Sequence, residues 1–319
     1  MRKTSVYLPE HLKRALAARA LATGRSEAEL VRAAVTAEVT PTTSGVSPHR
    51  TASPDPPQAG RLVGVGVGPG DPDLITLRAV RALRRADRVV APATAPDAVG
   101  RAEAIVREAL PDVRVERAAF AMNPDPQVRA EAMEAVASTV AAHLDAGDEV
   151  AFITLGDPLI YSTFSSLAAA VGQRRPTTVV EVVPGIMAFQ SLAARTGTTL
   201  VDDRQRLCIR TALDGDNGDD TDEPGRGAQA AAGRRDPGAG GLADDLRDPA
   251  CTVVLYKGGR RLPRLAADAR ATGRSRGAIV GELLGMSGER IGSLDELASG
   301  PASYLATVIL PASSGSTPQ

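Results

Sequence analysis

The feature that most constrains the fold is an alternation of short apolar runs and helix-spaced segments that begins at Arg61. Residues 61–67, 149–154 and 179–183 are rich in Val, Ile and Leu and have the length of strands. A shorter strand is expected at 89–91. Segments 74–86, 99–110, 126–146, 163–171 and 186–195 read as helices. In the first of these, Leu74, Leu77, Val80 and Leu83 recur at helical spacing, and Gly147 stops the third. Further strands are expected near 207–211, 252–256, 277–282 and 304–309. Strands that alternate with helices predict an α/β fold of two layers, with mainly parallel pairing in the first.

Composition divides the chain around this core. Residues 1–40 form a small unit, and 41–60, rich in Pro, Ser and Thr, read as a flexible linker. The α/β body is expected as 61–175 and 176–311, followed by a tail at 312–319. Residues 214–250 open with DGDNGDDTDEPGRG and hold almost no large apolar residues, so they are expected to be a disordered insertion in the second domain. The formal net charge is -1, so no global field directs the chain to nucleic acid or membrane. No apolar run approaches the about 20 residues that span a bilayer, and the N-terminus lacks a signal-peptide core. The two cysteines, Cys208 and Cys251, lie far apart without metal-finger spacing, and the histidines at 11, 49 and 143 are scattered. These features predict a cytoplasmic chain without a resident metal.

The first strand runs into Gly64-Val65-Gly66-Val67-Gly68-Pro69-Gly70-Asp71-Pro72. Glycines at a strand end remove side chains where a ligand must approach the backbone. No register completes a GxGxxG dinucleotide fingerprint, because Pro69 or Asp71 stands where the third glycine is needed. The plainer alternative is a tight strand-to-helix turn that holds nothing. Three more blocks follow in order: 150–163 (VAFITLGDPLIYST), 182–186 (VVPGI) and 253–257 (VVLYK). With the glycine loop and Leu74-Ile75-Thr76, this series resembles the tetrapyrrole methylase family over about residues 61–311. The second block is most similar to the precorrin-2 carbon-20 methyltransferase branch, and Gly100-Arg101-Ala102 and Phe120-Ala121-Met122 sit where that branch has similar segments.

The resemblance implies two α/β domains with S-adenosyl-L-methionine in the cleft between them. It also implies C-methylation of a tetrapyrrole in cobalamin biosynthesis, precorrin-2 at carbon 20 first and another corrin intermediate as the nearest rival. Carried over by motif, the cofactor contacts are Pro69, Leu155, Gly156, Asp157, Ile160, Tyr161, Met187, Ala188 and Tyr256. Asp157 can accept hydrogen bonds from the cofactor or sit near its sulfonium; its plain reading is a loop-capping Asp. The chain departs from the family at Ile186-Met187-Ala188, where Ile-Thr-Ser is common, so two hydroxyls are absent. A substrate with several carboxylates calls for basic residues, and Arg101, Arg206, Arg210 and Lys257 are the candidates, each with the alternative of a solvated surface charge. No Ser/His/Asp or Cys/His arrangement is visible, and no general base or other catalytic residue is identified.

Residues 4–8 alternate as a strand, Pro9 opens a helix over 10–22, and Ser26 with Glu29 fits a capping box that opens a second helix to about 38. Too small to bury a core alone, this unit is expected to dimerise, making the protein a homodimer. It resembles a ribbon-helix-helix domain over about residues 2–39. That resemblance implies DNA contacts by Lys3, Ser5 and Tyr7, with phosphate near Arg25 and Ser26. A dimerisation appendage without DNA is the alternative. A regulator whose methylase-like part only senses a ligand is the second reading of the whole chain.

Overall fold

The computed structural model describes residues 13–14, 16–17, 19–20, 25–31, 60–95, 97–120, 125–211, 241–300 and 302–313. The chain divides into two compact units, Met1–Asp55 and Pro56–Gln319. In the first unit, the described residues between 13 and 20 and those from 27 to 31 are helical. Ser26 and Glu29 form the expected capping box: the Ser26 N–H donates to Glu29 Oε2 at 2.8 Å, and the Glu29 N–H donates to Ser26 Oγ at 3.3 Å. The strand expected at 4–8, with Lys3, Ser5 and Tyr7, lies outside the described residues.

The second unit is built on two five-stranded sheets. The first has the order β3-β2-β4-β1-β5 and is wholly parallel. Its strands are β1 (Arg61–Gly66), β2 (Arg88–Ala93), β3 (Val115–Ala119), β4 (Glu149–Thr154) and β5 (Val179–Val183). Its helices are α1 (Leu77–Arg85), α2 (Arg101–Ala109), α3 (Pro126–Asp145) and α4 (Phe164–Arg174). The chain crosses the sheet one way from β1 to β3, with α1 and α2 on one face. It returns through β4 to β5, with α3 and α4 on the other face. A reversal of direction moves the helices to the opposite face when every crossover is right-handed. Side chains obey the period of two: Val63, Val65, Ala151 and Ile153 face α1 and α2, while Leu62, Val150 and Phe152 face α3 and α4.

The second sheet has the order β6-β7-β10-β8-β9 and is mixed, with only β6 and β7 parallel. Its strands are β6 (Arg206–Thr211), β7 (Cys251–Tyr256), β8 (Ile279–Glu282), β9 (Arg290–Ser293) and β10 (Thr307–Leu310). On one face lie α6 (Leu242–Arg247), α7 (Leu262–Ala271) and α8 (Leu294–Leu297). The other face packs on α5 (Ala188–Thr196) through Phe189, Leu192, Val254, Leu284 and Ile309.

Three expectations are corrected. β5 pairs with β1 from Arg61↔Val179 onward, so the first sheet runs past the expected division at 175. Residues 241–250, placed in a disordered insertion, include α6, whose Leu246 is buried and whose Asp245 pairs with Arg210. Residues 212–240 lie outside the described residues, as do most of the expected linker and the end of the tail. The helix expected from Leu74 begins at Leu77: Thr76 caps it by accepting from the Ala79 N–H at 3.1 Å, and Asp71 starts a separate 3-10 turn over Pro72–Leu74. Its buried face is Ala79, Ala82 and Leu83, and Leu77 is exposed.

Candidate active site

In open parallel sheets, ligands bind outside the carboxyl ends of strands whose connections leave in opposite directions. Here β4 is followed by a helix on one face, while both its neighbours, β1 and β2, are followed by helices on the other. The carboxyl ends of the β1–β4 and β4–β2 pairs are therefore where this topology places a ligand.

The loops after β1, β4 and β5 meet there. Gly68 and Gly156 form an antiparallel bridge, in which the Gly156 N–H donates to the Gly68 carbonyl at 2.7 Å. Gly156 has φ +71°, a conformation that L side chains rarely adopt. A Cβ on Gly66 would lie 2.5 Å from the Gly156 carbonyl oxygen, and one on Gly185 would lie 2.0 Å from the same atom. The glycines thus let three backbones touch, which fixes the crevice floor. Asp157 braces it: Oδ1 accepts from the Leu159 N–H at 2.9 Å and Oδ2 from the Gly185 N–H at 3.1 Å. Just before this loop, the Thr154 hydroxyl is buried and finds no partner among the described residues.

The second sheet closes the other side. A Cβ on Gly70 would lie 1.8 Å from the Leu284 carbonyl oxygen, and one on Gly285 would lie 2.2 Å from the Asp71 nitrogen, so the glycine loop sits directly against the turn after β8. Arg195 on α5 pairs with both Asp71, at 3.6 Å, and Glu289. Tyr161 has φ +50° and donates its hydroxyl to the Ile209 carbonyl at 3.1 Å, tying the β4–α4 loop to β6. Its ring meets that of Tyr256 edge to face at 5.9 Å. Lys257 (φ +59°) and Leu283 (φ +50°) follow the ends of β7 and β8. Non-glycine residues held at positive φ concentrate at ligand clamps, because only a surrounding structure keeps them there.

The expected cofactor residues are brought together. Pro69 is buried in the glycine loop, and Leu155, Gly156 and Asp157 form the opposing turn. Ile160, Met187, Ala188 and Tyr256 share one apolar cluster with Ile209 and Leu284. Burial pushes the Tyr256 phenol well above its ordinary value, and its oxygen accepts from the Phe189 N–H at 3.4 Å. At Met187-Ala188, Gln190 caps the helix start: its Oε1 accepts from the Met187 N–H at 2.9 Å. The start of α5 is therefore fixed without the missing hydroxyls.

The basic candidates separate. Arg101 is the first residue of α2, which starts close to the carboxyl end of β2: a Cβ on Gly100 would lie 2.7 Å from the Pro92 carbonyl oxygen. It is half-buried, burial lowers its pKa, and no carboxylate among the described residues pairs with it. Lys257 lies at the end of β7 with Nζ 5.9 Å from the centre of the Tyr304 ring. Arg206 and Arg210 are corrections. They alternate with Leu207 and Ile209, which face the apolar cluster, and so point to the opposite face, where Arg206 pairs with Asp248 at 2.6 Å and Arg210 with Asp245. Cys208 shares that face and comes together with Cys251 and Asp245. Burial and these neighbours push the Cys208 thiol up to about 11. Sequence reading missed Thr154, Arg195 and the 283–286 turn; only the glycines at 285 and 288 hinted at the turn.

Residues 61–298 match the family of tetrapyrrole (corrin/porphyrin) methylases. The chain belongs to this family. The methylase is 34% identical to a precorrin-2 C(20)-methyltransferase of Sinorhizobium, over 79% of this chain and 95% of that protein. It is 36% identical to a cobalt-precorrin-2 C(20)-methyltransferase of Salmonella typhimurium, over 47% of this chain and 62% of that one. Among solved structures, a cobalt precorrin-4 methyltransferase shares the fold with a TM-score of 0.56 at 20% identity, covering 79% of the methylase and 94% of that chain. A uroporphyrin-III C-methyltransferase from Thermus thermophilus, complexed with S-adenosylhomocysteine, gives a TM-score of 0.51 at 23% identity, covering 79% and 92%.

Proposed function

We propose that the methylase transfers a methyl group from S-adenosyl-L-methionine to carbon 20 of precorrin-2, a step of cobalamin biosynthesis. One observation carries the substrate: the similarity to a precorrin-2 C(20)-methyltransferase spans 95% of that protein. The site supports the cofactor. A zwitterionic nucleoside needs backbone polar groups beside an apolar slot. The loops at Pro69 and Leu155–Asp157 bring backbone into the crevice, the orphaned Thr154 hydroxyl offers a further polar group, and Ile160, Met187, Ala188 and Tyr256 supply apolar surface. Asp157 acts chiefly as the brace of this cradle, because both its oxygens already hold backbone N–H groups.

When bound, the cofactor supplies an electrophilic methyl group on a sulfonium. The chain's own task is alignment and exclusion of water, which shorten the search for the reactive geometry. Arg101 is the anchor for a substrate carboxylate: a half-buried guanidinium that pairs with no carboxylate among the described residues is costly until an anion arrives. Lys257 offers a second cation at the end of β7. No side chain is assigned as a base.

No helix among the described residues is long and apolar enough to cross a membrane. A cytoplasmic location and a homodimer belong to the same proposal. The Met1–Asp55 unit is proposed as a ribbon-helix-helix appendage that contacts DNA through Lys3, Ser5 and Tyr7; the Ser26–Glu29 capping box supports its second helix. A gel shift on operator-length duplexes, with and without residues 1–60, tests that part, and light scattering reports the dimer.

The test of the enzyme reading is calorimetry with S-adenosylhomocysteine, followed by mass spectrometry of precorrin-2 and cobalt-precorrin-2 incubated with the protein and S-adenosylmethionine. Cofactor binding with gain of one methyl group supports the proposal and shows which form is used. Absence of both sinks it and favours the ligand-sensing regulator.

A further inference from the structure

Away from the crevice, the outer face of the second sheet gathers three metal-ligating side chains. Cys208 lies on edge strand β6, Cys251 on its parallel neighbour β7, and Asp245 on α6, which covers both strands. One sulfur from each cysteine and one carboxylate oxygen all lie within 4.8 Å of one another. Cys251 and Asp245 are buried and Cys208 is half-buried. The two cysteines are 43 positions apart in sequence, yet the β6–β7 register sets Cys208 against Val253, two residues along from Cys251.

The geometry points to a site for a thiophilic divalent cation of the zinc type, held by Cys208, Cys251 and Asp245. Two sulfurs and one carboxylate oxygen are a donor set for zinc, with a fourth position left to water. Zinc-to-sulfur distances of about 2.3 Å place tetrahedral ligand atoms roughly 3.5–4 Å apart, so small side-chain shifts complete the set. Arg210 donates from Nε to Oδ2 of Asp245, which orients the carboxylate and leaves its other oxygen for the ion. Two thiolates and a carboxylate around a divalent ion carry one net negative charge, which Arg210 offsets. Arg274 donates to the carbonyls of Leu246, Asp248 and Cys251, which ties the end of α6 to the start of β7. Bound there, the ion would clamp α6, the first described element after residue 240, onto β6 and β7.

The test uses the full-length chain, purified reduced, stripped with chelator and titrated with cobalt(II) and then zinc(II). The expected result is one equivalent bound, a near-ultraviolet thiolate-to-cobalt charge-transfer band, and its displacement by zinc. Cys208→Ser and Cys251→Ser should each remove most of the band, and Asp245→Asn should weaken binding by at least about 10-fold while leaving the band's sulfur origin intact. Cofactor binding in these variants reports whether they fold. No band in folded wild-type protein, or a band that survives in the double cysteine variant, overturns the site. Loss of both thiols to an internal disulfide without metal uptake also overturns it and identifies a redox pair instead.

Discussion

Asp157 holds two backbone N–H groups on one carboxylate, one in its own loop and one in the loop after β5. Asp157→Ala leaves both donors without partners, at a cost of about 1–3 kcal/mol each where water cannot reach them. The expected outcome is a weaker Kd for S-adenosylhomocysteine in calorimetry together with a lower Tm. Arg101 is proposed to anchor the other ligand. Arg101→Gln should raise KM for the tetrapyrrole by about 10- to 100-fold, the worth of a hydrogen bond to a charged group, and leave the cofactor Kd unchanged. A third residue gives a pH signature. Glu103 on α2 is fully buried and pairs with Arg107 at 2.6 Å and Arg117 at 2.8 Å. Burial pushes its carboxyl up, but the two guanidinium groups outweigh that and hold it below the ordinary range. The stability it contributes is present above the unfolded carboxylate value and is lost as pH falls through the lower folded one. Glu103→Gln should therefore flatten the acid limb of stability against pH, measured by denaturant midpoints. At this scale the motif made Gly156 and Asp157 legible in sequence. Arg206 and Arg210 were misread because strand parity shows that they share a face, and only the packing of α6 shows which face that is.

Elements were legible where burial is continuous. β1, β4 and β7 are buried along nearly their whole length and read as apolar runs. β3 (Val115–Ala119) and β9 (Arg290–Ser293) are edge strands with mostly half-exposed or exposed residues, so VERAA and RIGS carry no apolar signal. α6 is six residues with two adjacent aspartates, and its order comes from tertiary partners. One of those partners is Arg274, which is only 4% exposed and donates to carbonyls at the end of α6, the start of β7 and the end of β10. It serves α6 as a distant C-cap, satisfying carbonyls that a short helix cannot. Arg274→Met should cost on the order of 2–4 kcal/mol, because buried carbonyls lose their donor. Chemical denaturation measures it, and a midpoint near that of wild type would show that water replaces the guanidinium.

At the scale of the molecule, the direction of the chain across the first sheet determines where the crevice lies. β4 sits between two strands whose connections leave by the other face, and the turn after β8 closes onto the glycine loop. The α/β class and parallel first sheet followed from the alternation of elements. The closure did not, since it depends on backbone contacts between Gly70 and Leu284 that no local pattern records. The proposed reaction transfers a methyl group to one carbon of precorrin-2. The most direct measurement is carbon NMR of the product formed with S-adenosylmethionine labelled at its methyl carbon. A single labelled methyl bonded to carbon 20 is the predicted result. A label on another ring carbon would assign a different corrin methylation, and no incorporation by a protein that binds the cofactor would contradict the proposed reaction.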